Sequence, residues 1–245
     1  MNTEPKFIVI VPAAGVGKRM QANCPKQYLR INDETILAHT VMRLLTHPLI
    51  SKVILALGPD DQYFEETSIA HHPDIIRVTG GEERVDSVLS GLKAVNCSES
   101  PWVLVHDAAR PCVSHQDISN LIHQCLASDV GGILATPVRD TMKRGLVRKN
   151  NTRTISSTVD REELWHALTP QMYKTSELMF AIEQALLEGL QITDEASAIE
   201  TQALPSLLVS ASSENIKITH PDDLPLAEFY LNKQQNNDKK ESRCV

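Results

Sequence analysis

Five short, largely apolar runs, each ended at once by glycine, proline or a polar residue, place the strongest constraint on how this chain folds. Runs of β-branched residues without polar alternation are typical of strands that are buried on both faces of a sheet. Segments with an apolar stripe at helical spacing separate most of these runs. This alternation predicts βαβ units and a single doubly wound, mostly parallel α/β sheet. The five runs are Phe7–Val11, Lys52–Leu57, Ile75–Thr79, Trp102–Val105 and Gly132–Val138.

The segment Arg139–Asp160 interrupts this rhythm. It is polar, it lacks helical periodicity, and it contains the β-rich run Thr154–Val159. We therefore expect a projecting β-arm, residues 139–160, within one domain of residues 1–232, followed by a flexible polar tail, residues 233–245. The remaining predicted elements are a helix around Leu178–Leu186, strands at Leu207–Val209 and Ile216–Ile218, and a last helix over Asp222–Leu231.

The composition argues against several classes of protein. The 245 residues carry a net charge of -7 and only 4% aromatic residues, which does not favour a nucleic-acid-binding surface. The five cysteines are scattered and form no C-x-x-C pair, so neither a disulfide framework nor a zinc site is predicted. No apolar run is long enough for a secretory signal or a membrane span. We expect a cytoplasmic protein without a nucleic-acid or membrane partner.

Glycines, alanines and cations gather in the loops that follow the predicted strands. Pro12–Gly17 follows the first strand, Gly80–Arg84 the third and His106–Pro111 the fourth. In an open α/β sheet, ligands bind beyond the carboxyl ends of the strands. The stretch Lys18–Arg30 has four cations and no acid, which favours a polyphosphate site over a solvated basic loop.

The first loop matches neither of two common phosphate-binding motifs. A Walker A loop requires serine or threonine where this chain has Arg19. The dinucleotide fingerprint requires a third glycine where this chain has Met20. The loop therefore predicts a nucleotide site of another kind.

Eight motifs follow one another along almost the whole chain, except the tail. They are Pro12–Met20 with Pro25–Tyr28, Gly80–Ser87, Val105–Pro111, Arg139–Lys143, Val159–Arg161, Trp165–Gln171, Thr193–Ser197 and Asn215–Thr219. In this order they resemble the 2-C-methyl-D-erythritol 4-phosphate cytidylyltransferase family of the non-mevalonate isoprenoid pathway. The resemblance implies a Rossmann-like nucleotidyltransferase fold.

The resemblance also implies a reaction. The CMP part of CTP would be transferred to 2-C-methyl-D-erythritol 4-phosphate, giving 4-diphosphocytidyl-2-C-methyl-D-erythritol and pyrophosphate. We expect in-line attack by the acceptor phosphate on the α-phosphorus, with Mg²⁺ bridging the phosphate oxygens and Asp107 as its candidate ligand. In this family the arm interlocks with a second subunit, which implies a homodimer.

Site residues carry over from the family motif by motif. Catalytic charge stabilisation is assigned to Arg19, Lys26 and Lys217. The nucleotide contacts are Pro12, Ala13, Ala14, Gly15, Gly17, Gly81, Glu82, Arg84, Ser87, Asp107 and Ala108. The contacts to the polyol phosphate are Asp107, Arg110, Thr141, Arg161, Thr169, Thr193 and Lys217, of which Thr141 and Arg161 would reach the partner's site.

Several of these residues also have a plainer interpretation. Asp107 and Thr193 lie where a residue can cap the next helix. Arg84 can pair with a neighbouring glutamate on the surface. A lysine within a strand, as predicted for Lys217, more often faces solvent.

Three other functions stay open on the sequence alone. A cytidylyltransferase for another polyol phosphate, such as ribitol 5-phosphate, would share the first loop and differ around the acceptor, but Arg139–Lys143 and Trp165–Gln171 favour the erythritol substrate. A catalytically inactive nucleotide-binding regulator is not expected to keep Arg19, Lys26 and Lys217 together. The third is a sugar 1-phosphate enzyme that uses UTP or GTP.

Overall fold

The computed structural model describes residues 5–15, 24–148 and 151–241. Its strands are β1 (Phe7–Pro12), β2 (Arg30–Ile31), β3 (Glu34–Thr35), β4 (Ile50–Leu57), β5 (Ile75–Thr79), β6 (Trp102–Val105), β7 (Gly132–Pro137), β8 (Met142–Val147), β9 (Arg153–Val159), β10 (Trp165–Lys174) and β11 (Leu207–Ser210). Its helices are α1 (Ile36–Leu45), α2 (Arg84–Lys93), α3 (His115–Ser128), α4 (Thr175–Leu187), α5 (Glu195–Thr201) and α6 (Asp223–Glu241).

Seven of the described strands form one sheet in the order β11-β7-β10-β6-β1-β4-β5. Within it, β10 runs antiparallel to its neighbours β6 and β7. The other neighbouring pairs are parallel. The predicted α/β fold with a mostly parallel sheet is therefore confirmed.

Side chains of the central strand alternate between two layers of helices. Val9 and Val11 pack in the cluster that contains residues of α1 and α3, whereas Ile10 packs with residues of α2, α4 and α5. All three side chains are fully buried. A strand covered on both faces requires such a continuous apolar run, which is why β1 shows no polar alternation.

A smaller apolar cluster joins α6 to the short β2–β3 hairpin and to the chain after β6. Ile218 belongs to this cluster, and its N–H donates to the Ala109 carbonyl at 2.9 Å. Because of this anchor, the preceding residue, Lys217, is brought to the loop that follows β6.

The strand register sets which loops meet at the carboxyl edge of the sheet. Ile10 of β1 lies opposite Val105 of β6, and Val105 lies opposite Gln171 of β10. On the other side of β1, Leu57 of β4 lies opposite Thr79 of β5. The loops after β1, β5 and β6 and the middle of β10 therefore lie side by side.

The structure differs from the predicted elements in several places. Ile216–Ile218 was wrongly predicted as a strand, since the segment is irregular. The strand β10 and the seven-residue helix α5 were not predicted, because neither has a clear periodicity and β10 contains Pro170. The last helix begins as predicted but continues through Glu241, past the expected end at Leu231.

The segment 139–160 contains the separate two-stranded antiparallel sheet β8–β9. All six residues of β8 are exposed. Leu146, Val147 and Ile155 expose 54%, 60% and 67% of their surface. This β-rich segment thus carries apolar side chains that the rest of the described chain does not cover.

Candidate active site

An open cleft lies where the loops after β1, β5 and β6 meet. Lys26 and Lys217 line it, together with all the predicted nucleotide contacts that the structure describes. The predicted residues Gly17 and Arg19 lie outside the described residues. The lining nucleotide contacts are Pro12, Ala13, Ala14, Gly15, Gly81, Glu82, Arg84, Ser87, Asp107 and Ala108.

Close packing between two loops shapes this first cleft. A Cβ atom on Gly80 would lie 2.6 Å from the Ala14 Cβ, so glycine is needed for the loops after β1 and β5 to approach this closely. The Gly81 N–H donates to Ser87 Oγ at 3.1 Å. The buried Gln27 donates from Nε2 to the Ala13 carbonyl at 2.7 Å. Ser87 and Gln27 therefore hold in place the backbone of two loops that are predicted to bind the nucleotide.

Lys26 is placed by a 3₁₀ turn of residues 26–28, whose other two members, Gln27 and Tyr28, are buried. The Lys26 Nζ donates to the Ile218 carbonyl at 3.1 Å, directly beside Lys217 in the chain. Two of the three predicted catalytic cations thus reach one cleft from distant parts of the sequence.

A second cleft adjoins the first. Three residues line both clefts and therefore stand between them; we call Arg84, Asp107 and Lys217 the dividing wall. Predicted acceptor contacts that line the second cleft besides the wall are Arg110, Thr169 and Thr193.

Ion pairs fix the dividing wall. Asp107 Oδ1 accepts from Arg84 Nε at 3.0 Å, and Asp107 Oδ2 accepts from Lys217 Nζ at 2.8 Å. The Arg110 Nε lies 3.5 Å from the same Oδ2. Arg84 also donates from Nη1 and Nη2 to the two carboxylate oxygens of Glu195, at 2.6 and 3.1 Å. Arg84 is therefore a partly buried bridge between two acids from other segments, not a surface partner of a neighbouring glutamate.

The surrounding cations keep Asp107 ionised. Burial alone would raise the pKa of this carboxyl, but Arg84, Lys217 and Arg110 outweigh burial and hold the pKa well below its usual range. The pKa of Arg110 is lowered, mainly by its own burial. Burial also acts to lower the pKa of Arg84, but Glu195 and Asp107 outweigh it and raise that pKa. Asp107 therefore carries its negative charge throughout the neutral pH range.

His106 and Thr169 connect the Asp107 loop to β10. His106 Nε2 donates to the Arg110 carbonyl at 3.0 Å, since a carbonyl oxygen can only accept. Nδ1 therefore accepts a hydrogen bond from the Thr169 hydroxyl, with 3.0 Å between Nδ1 and Oγ1. Thr169 Oγ1 in turn accepts from the Asp107 N–H at 3.0 Å. Burial lowers the pKa of His106 to about 4, so the ring stays neutral and this arrangement persists at pH 7.

Two predicted acceptor contacts lie elsewhere. Thr141 and Arg161 are exposed at the two ends of the β8–β9 segment and line neither cleft of this chain. Arg161 Nη1 donates to the Arg139 carbonyl. The structure of the single chain therefore does not bring these two residues together with the other acceptor contacts.

The plainer capping interpretations of two site residues are wrong. The helix after the Asp107 loop, α3, has Ser114 as its N-cap, so Asp107 caps no helix. The N-cap of α5 is Asp194, one residue after Thr193. Neither side chain serves as a helix cap, and both line a cleft.

Three supporting residues were missed by sequence reasoning, although all lie in the quoted motifs. They are Gln27, Gln171 and Glu195. Gln171 Nε2 donates to Asp194 Oδ2 at 2.9 Å, and its Oε1 accepts from the Ala196 N–H at 2.9 Å, which ties the start of α5 to β10. The order of residues in a motif does not show which of them face a ligand and which hold the others in place.

A family model for 2-C-methyl-D-erythritol 4-phosphate cytidylyltransferase matches residues 7–233 of this chain. The chain belongs to this cytidylyltransferase family. It is therefore a transferase, and specifically a nucleotidyltransferase of isoprenoid biosynthesis. The resemblance stated from the eight motifs is confirmed.

Relatives of the same family extend over nearly the full length. The chain is 76% identical over 241 residues to the cytidylyltransferase of Colwellia psychrerythraea, covering 97% of this chain and 99% of the relative. It is 56% identical over 232 residues to that of Vibrio vulnificus, covering 94% and 96%. The similarity is therefore not confined to one part of the chain.

Solved structures agree with the fold. A crystal structure of 4-diphosphocytidyl-2C-methyl-D-erythritol synthase matches with a TM-score of 0.79 and 32% identity, covering 94% of this chain and 100% of that one. The crystal structure of the Francisella tularensis 2-C-methyl-D-erythritol 4-phosphate cytidylyltransferase matches with a TM-score of 0.77 and 36% identity, covering 92% and 99%.

Proposed function

We propose that the first cleft binds CTP and that the second binds 2-C-methyl-D-erythritol 4-phosphate. The CMP group is transferred from one substrate to the other at the dividing wall, where the two clefts adjoin. The reaction gives 4-diphosphocytidyl-2-C-methyl-D-erythritol and pyrophosphate, as expected of a member of this family. The observation that carries the proposal is that Arg84, Asp107 and Lys217 line both clefts. A donor and an acceptor on either side of one wall are already close together, which removes much of the entropic barrier to a two-substrate reaction.

In the first cleft, the backbone of residues 12–17 surrounds the triphosphate and ribose. The small side chains in this loop let N–H groups approach phosphate oxygens. Gly81, Glu82 and Ser87 contact the cytosine, and Asp107 with Ala108 lies beside the ribose. The packing of the Gly80 loop against Ala14 supports this assignment, because it joins the base and phosphate parts of the cleft.

The chemical step requires no general base. The attacking oxygen belongs to a phosphate that is already an anion at pH 7. In keeping with this, Asp107 is held ionised by three cations, and both nitrogens of the neutral His106 are engaged in hydrogen bonds. The barrier lies in bringing two anions together in line at the α-phosphorus, so positioning and charge stabilisation carry the catalysis.

Three cations supply that stabilisation in this proposal. Lys26 and Lys217 both line the first cleft, and Lys26 Nζ donates to the carbonyl of Ile218, the residue that follows Lys217. The third is Arg19, which lies outside the described residues and is assigned from the family motif. Charges contributed from three separate segments neutralise the developing negative charge better than one neighbouring group can.

In the second cleft, Arg110 is the main partner of the acceptor phosphate. Its residue is only 7% exposed, and its Nε lies 3.5 Å from Asp107 Oδ2 without making a hydrogen bond to the described residues. A buried guanidinium with an unused donor at a cleft is suited to a charged acceptor group. Thr193 contributes a hydroxyl that makes only a long 3.4 Å contact to Ser197 Oγ, whereas the Thr169 hydroxyl is engaged by His106 and Asp107 at 3.0 Å.

Mg²⁺ accompanies the nucleotide in this proposal, with Asp107 as its protein ligand. No group of three or more His, Cys, Asp or Glu side chains within the described residues is arranged as a metal cage. A single carboxylate nevertheless fits Mg²⁺, which retains waters and takes most of its ligands from substrate phosphates. When bound, the ion would neutralise phosphate charge. Asp107 has lone pairs beyond those that Arg84 and Lys217 occupy, and it stays ionised.

The 139–160 segment forms a homodimer in this proposal. It has six Lys or Arg and two Asp, a net charge of +4, whereas the whole chain has -7. Its exposed Leu146, Val147 and Ile155 provide apolar area for burial against the acidic body of a second copy. Docking there would bring Thr141 and Arg161 to the partner's second cleft. No helix of the described chain is long and apolar enough to cross a membrane, and we assign the enzyme to the cytoplasm.

The decisive experiment measures pyrophosphate release from CTP and Mg²⁺ with a panel of acceptors. Turnover with 2-C-methyl-D-erythritol 4-phosphate well above that with ribitol 5-phosphate is expected. Preference for ribitol 5-phosphate would assign the second cleft to another polyol. Calorimetric binding of CTP without turnover on any acceptor would instead identify a nucleotide-binding regulator. Replacing CTP by UTP or GTP tests the base contacts of the first cleft.

A further inference from the structure

Glu195 lies behind the dividing wall and lines neither cleft. It is 2% exposed, and both of its carboxylate oxygens accept from Arg84, at 2.6 and 3.1 Å. A two-point contact between a carboxylate and the planar guanidinium fixes both the place and the plane of the arginine. Arg84 is thus held from the side that no substrate reaches.

The ion pairs continue from Arg84 to the reacting groups. With Nη1 and Nη2 on Glu195, Arg84 turns its Nε to Asp107 Oδ1 at 3.0 Å. Asp107 Oδ2 in turn holds Lys217 Nζ at 2.8 Å. The ammonium group of Lys217 is therefore located by Glu195 through two intermediate residues.

Hydrogen bonds fix the backbone position of Glu195. It is the first residue of α5, next to the N-cap Asp194, whose Oδ1 accepts from the Ser197 N–H at 3.0 Å. The buried Gln171 of β10 bonds to Asp194 and Ala196 on either side of Glu195. The start of α5 is thereby fixed to the central sheet.

The charges around the wall nearly balance. Arg84, Arg110 and Lys217 contribute three positive charges, and Asp107 and Glu195 contribute two negative charges. Removing the charge of Glu195 would therefore raise the local net charge from +1 to +2. An anionic substrate would be attracted at least as strongly as before, although the wall would be held less firmly.

We propose that Glu195 is a positioning residue for cytidylyl transfer, which holds Arg84 and, through it, Asp107 and Lys217 in the geometry of the reaction. The inference rests on the proposed function of the two clefts. It makes a claim that a purely structural role does not, namely that loss of the Glu195 charge lowers turnover without weakening the binding of either substrate.

The test is Glu195→Gln, which keeps the shape and one acceptor oxygen but removes the charge. We expect kcat to fall about tenfold, because small displacements of charge-stabilising groups slow the chemical step. We expect the KM for CTP and for the acceptor to stay unchanged or to fall. The matched control is Glu200→Gln, at an exposed position on the same helix α5, which should change neither constant.

A wild-type kcat in folded Glu195→Gln, or a rise in both KM values at constant kcat, would overturn the proposal. Glu195→Asp provides a second variant: it keeps the charge but is one methylene shorter, so kcat should fall without any decrease in KM. If neither variant folds, Glu195 serves the stability of the fold, and the positioning role is wrong. Absence of turnover in the unchanged protein would instead refute the proposed function, so the two failures are distinguishable in one assay.

Discussion

Lys26 and Lys217 come from opposite ends of the chain, yet both side chains line the first cleft. Lys26 is held through its bond to the Ile218 carbonyl, while Lys217 is held through its ion pair with Asp107. Each ammonium group is thus positioned by a contact to a distant segment of the chain, and Lys217 in addition shares its charge with a carboxylate that lies between the clefts.

At the scale of the residue, Lys26→Ala tests the charge-stabilising role. We expect kcat to fall by about 10²–10³, the usual result of removing one donor to the transition state. The measurement is steady-state pyrophosphate release, with Lys52→Ala as the control, because Lys52 is an exposed lysine on β4. Near-normal turnover of Lys26→Ala would contradict the assignment.

Individual elements are joined by polar contacts as well as by the apolar core, and His47 is a clear case. It lies between α1 and β4, is 1% exposed, and packs against the ring of His115 at the start of α3. Its Nδ1 accepts from the Leu49 N–H at 3.2 Å, so its Nε2 donates to Ser119 Oγ at 2.9 Å. Burial, then the charges of His115 and His123, lower the pKa of His47 to about 4.

The lowered pKa of His47 predicts that the free energy of unfolding decreases in acid. The unfolded state binds a proton at His47 below about pH 6.5, while the folded state stays neutral until about pH 4, so stability falls as pH decreases through that window. We expect His47 to contribute about 2 kcal/mol of the loss in unfolding free energy between pH 7 and pH 5. Urea titrations at both pH values check this.

The matched comparison for that experiment is His47→Asn against His71→Asn, where His71 is exposed. The first substitution should reduce the pH dependence of the unfolding free energy by roughly the stated amount. The second should leave it unchanged. An equal pH dependence in all three proteins would mean that His47 is not the group responsible.

The β8–β9 element provides a separate prediction through Arg161 at its end. Since Arg161 is assigned to the acceptor phosphate, Arg161→Ala should raise the KM for 2-C-methyl-D-erythritol 4-phosphate at least tenfold, in line with loss of a charge-assisted contact. The KM for CTP should change little. Arg144→Ala, an exposed arginine within β8, is the control. Equal effects on both substrates would show that Arg161 is not in the acceptor site.

For the whole molecule, the central question is whether one chain contains a complete site. Thr141 and Arg161 line neither cleft, although the other described acceptor contacts line the second. A site completed by a second subunit explains both this separation and the exposed apolar residues of the β8–β9 segment. In a symmetric dimer each arm would serve the opposite cleft, so two sites form together or not at all.

Mixing two impaired variants tests this arrangement. Lys26→Ala and Arg161→Ala, unfolded together and refolded at equal concentration, should recover about a quarter of wild-type activity, because half of the dimers are mixed and each has one intact site. Assays at saturating CTP and limiting acceptor measure the recovery. No recovery, with dimers present by sedimentation, would place Arg161 in the site of its own chain.

Much of the fold follows from local pattern. The predicted strands β1, β5 and β6 agree closely with the structure, and so do the apolar faces of α1, α2 and α3, because a buried strand or a helix face leaves its period in consecutive residues. β10 left no such period. β10 is placed between β6 and β7 by pairing with strands that are distant in the sequence. Only this pairing brings Thr169 and Gln171 to the second cleft.

The sequence by itself determined the fold class and predicted the loops that line the two clefts, since those depend on residue type and order, and the family resemblance supplied most of the residues assigned to the clefts. The tertiary structure decided which residues face a ligand and which support one. Arg84, Asp107, Glu195 and Lys217 form one line of ion pairs although they belong to four separate segments. Such pairing depends on distance in space, and no period or spacing along the chain records it.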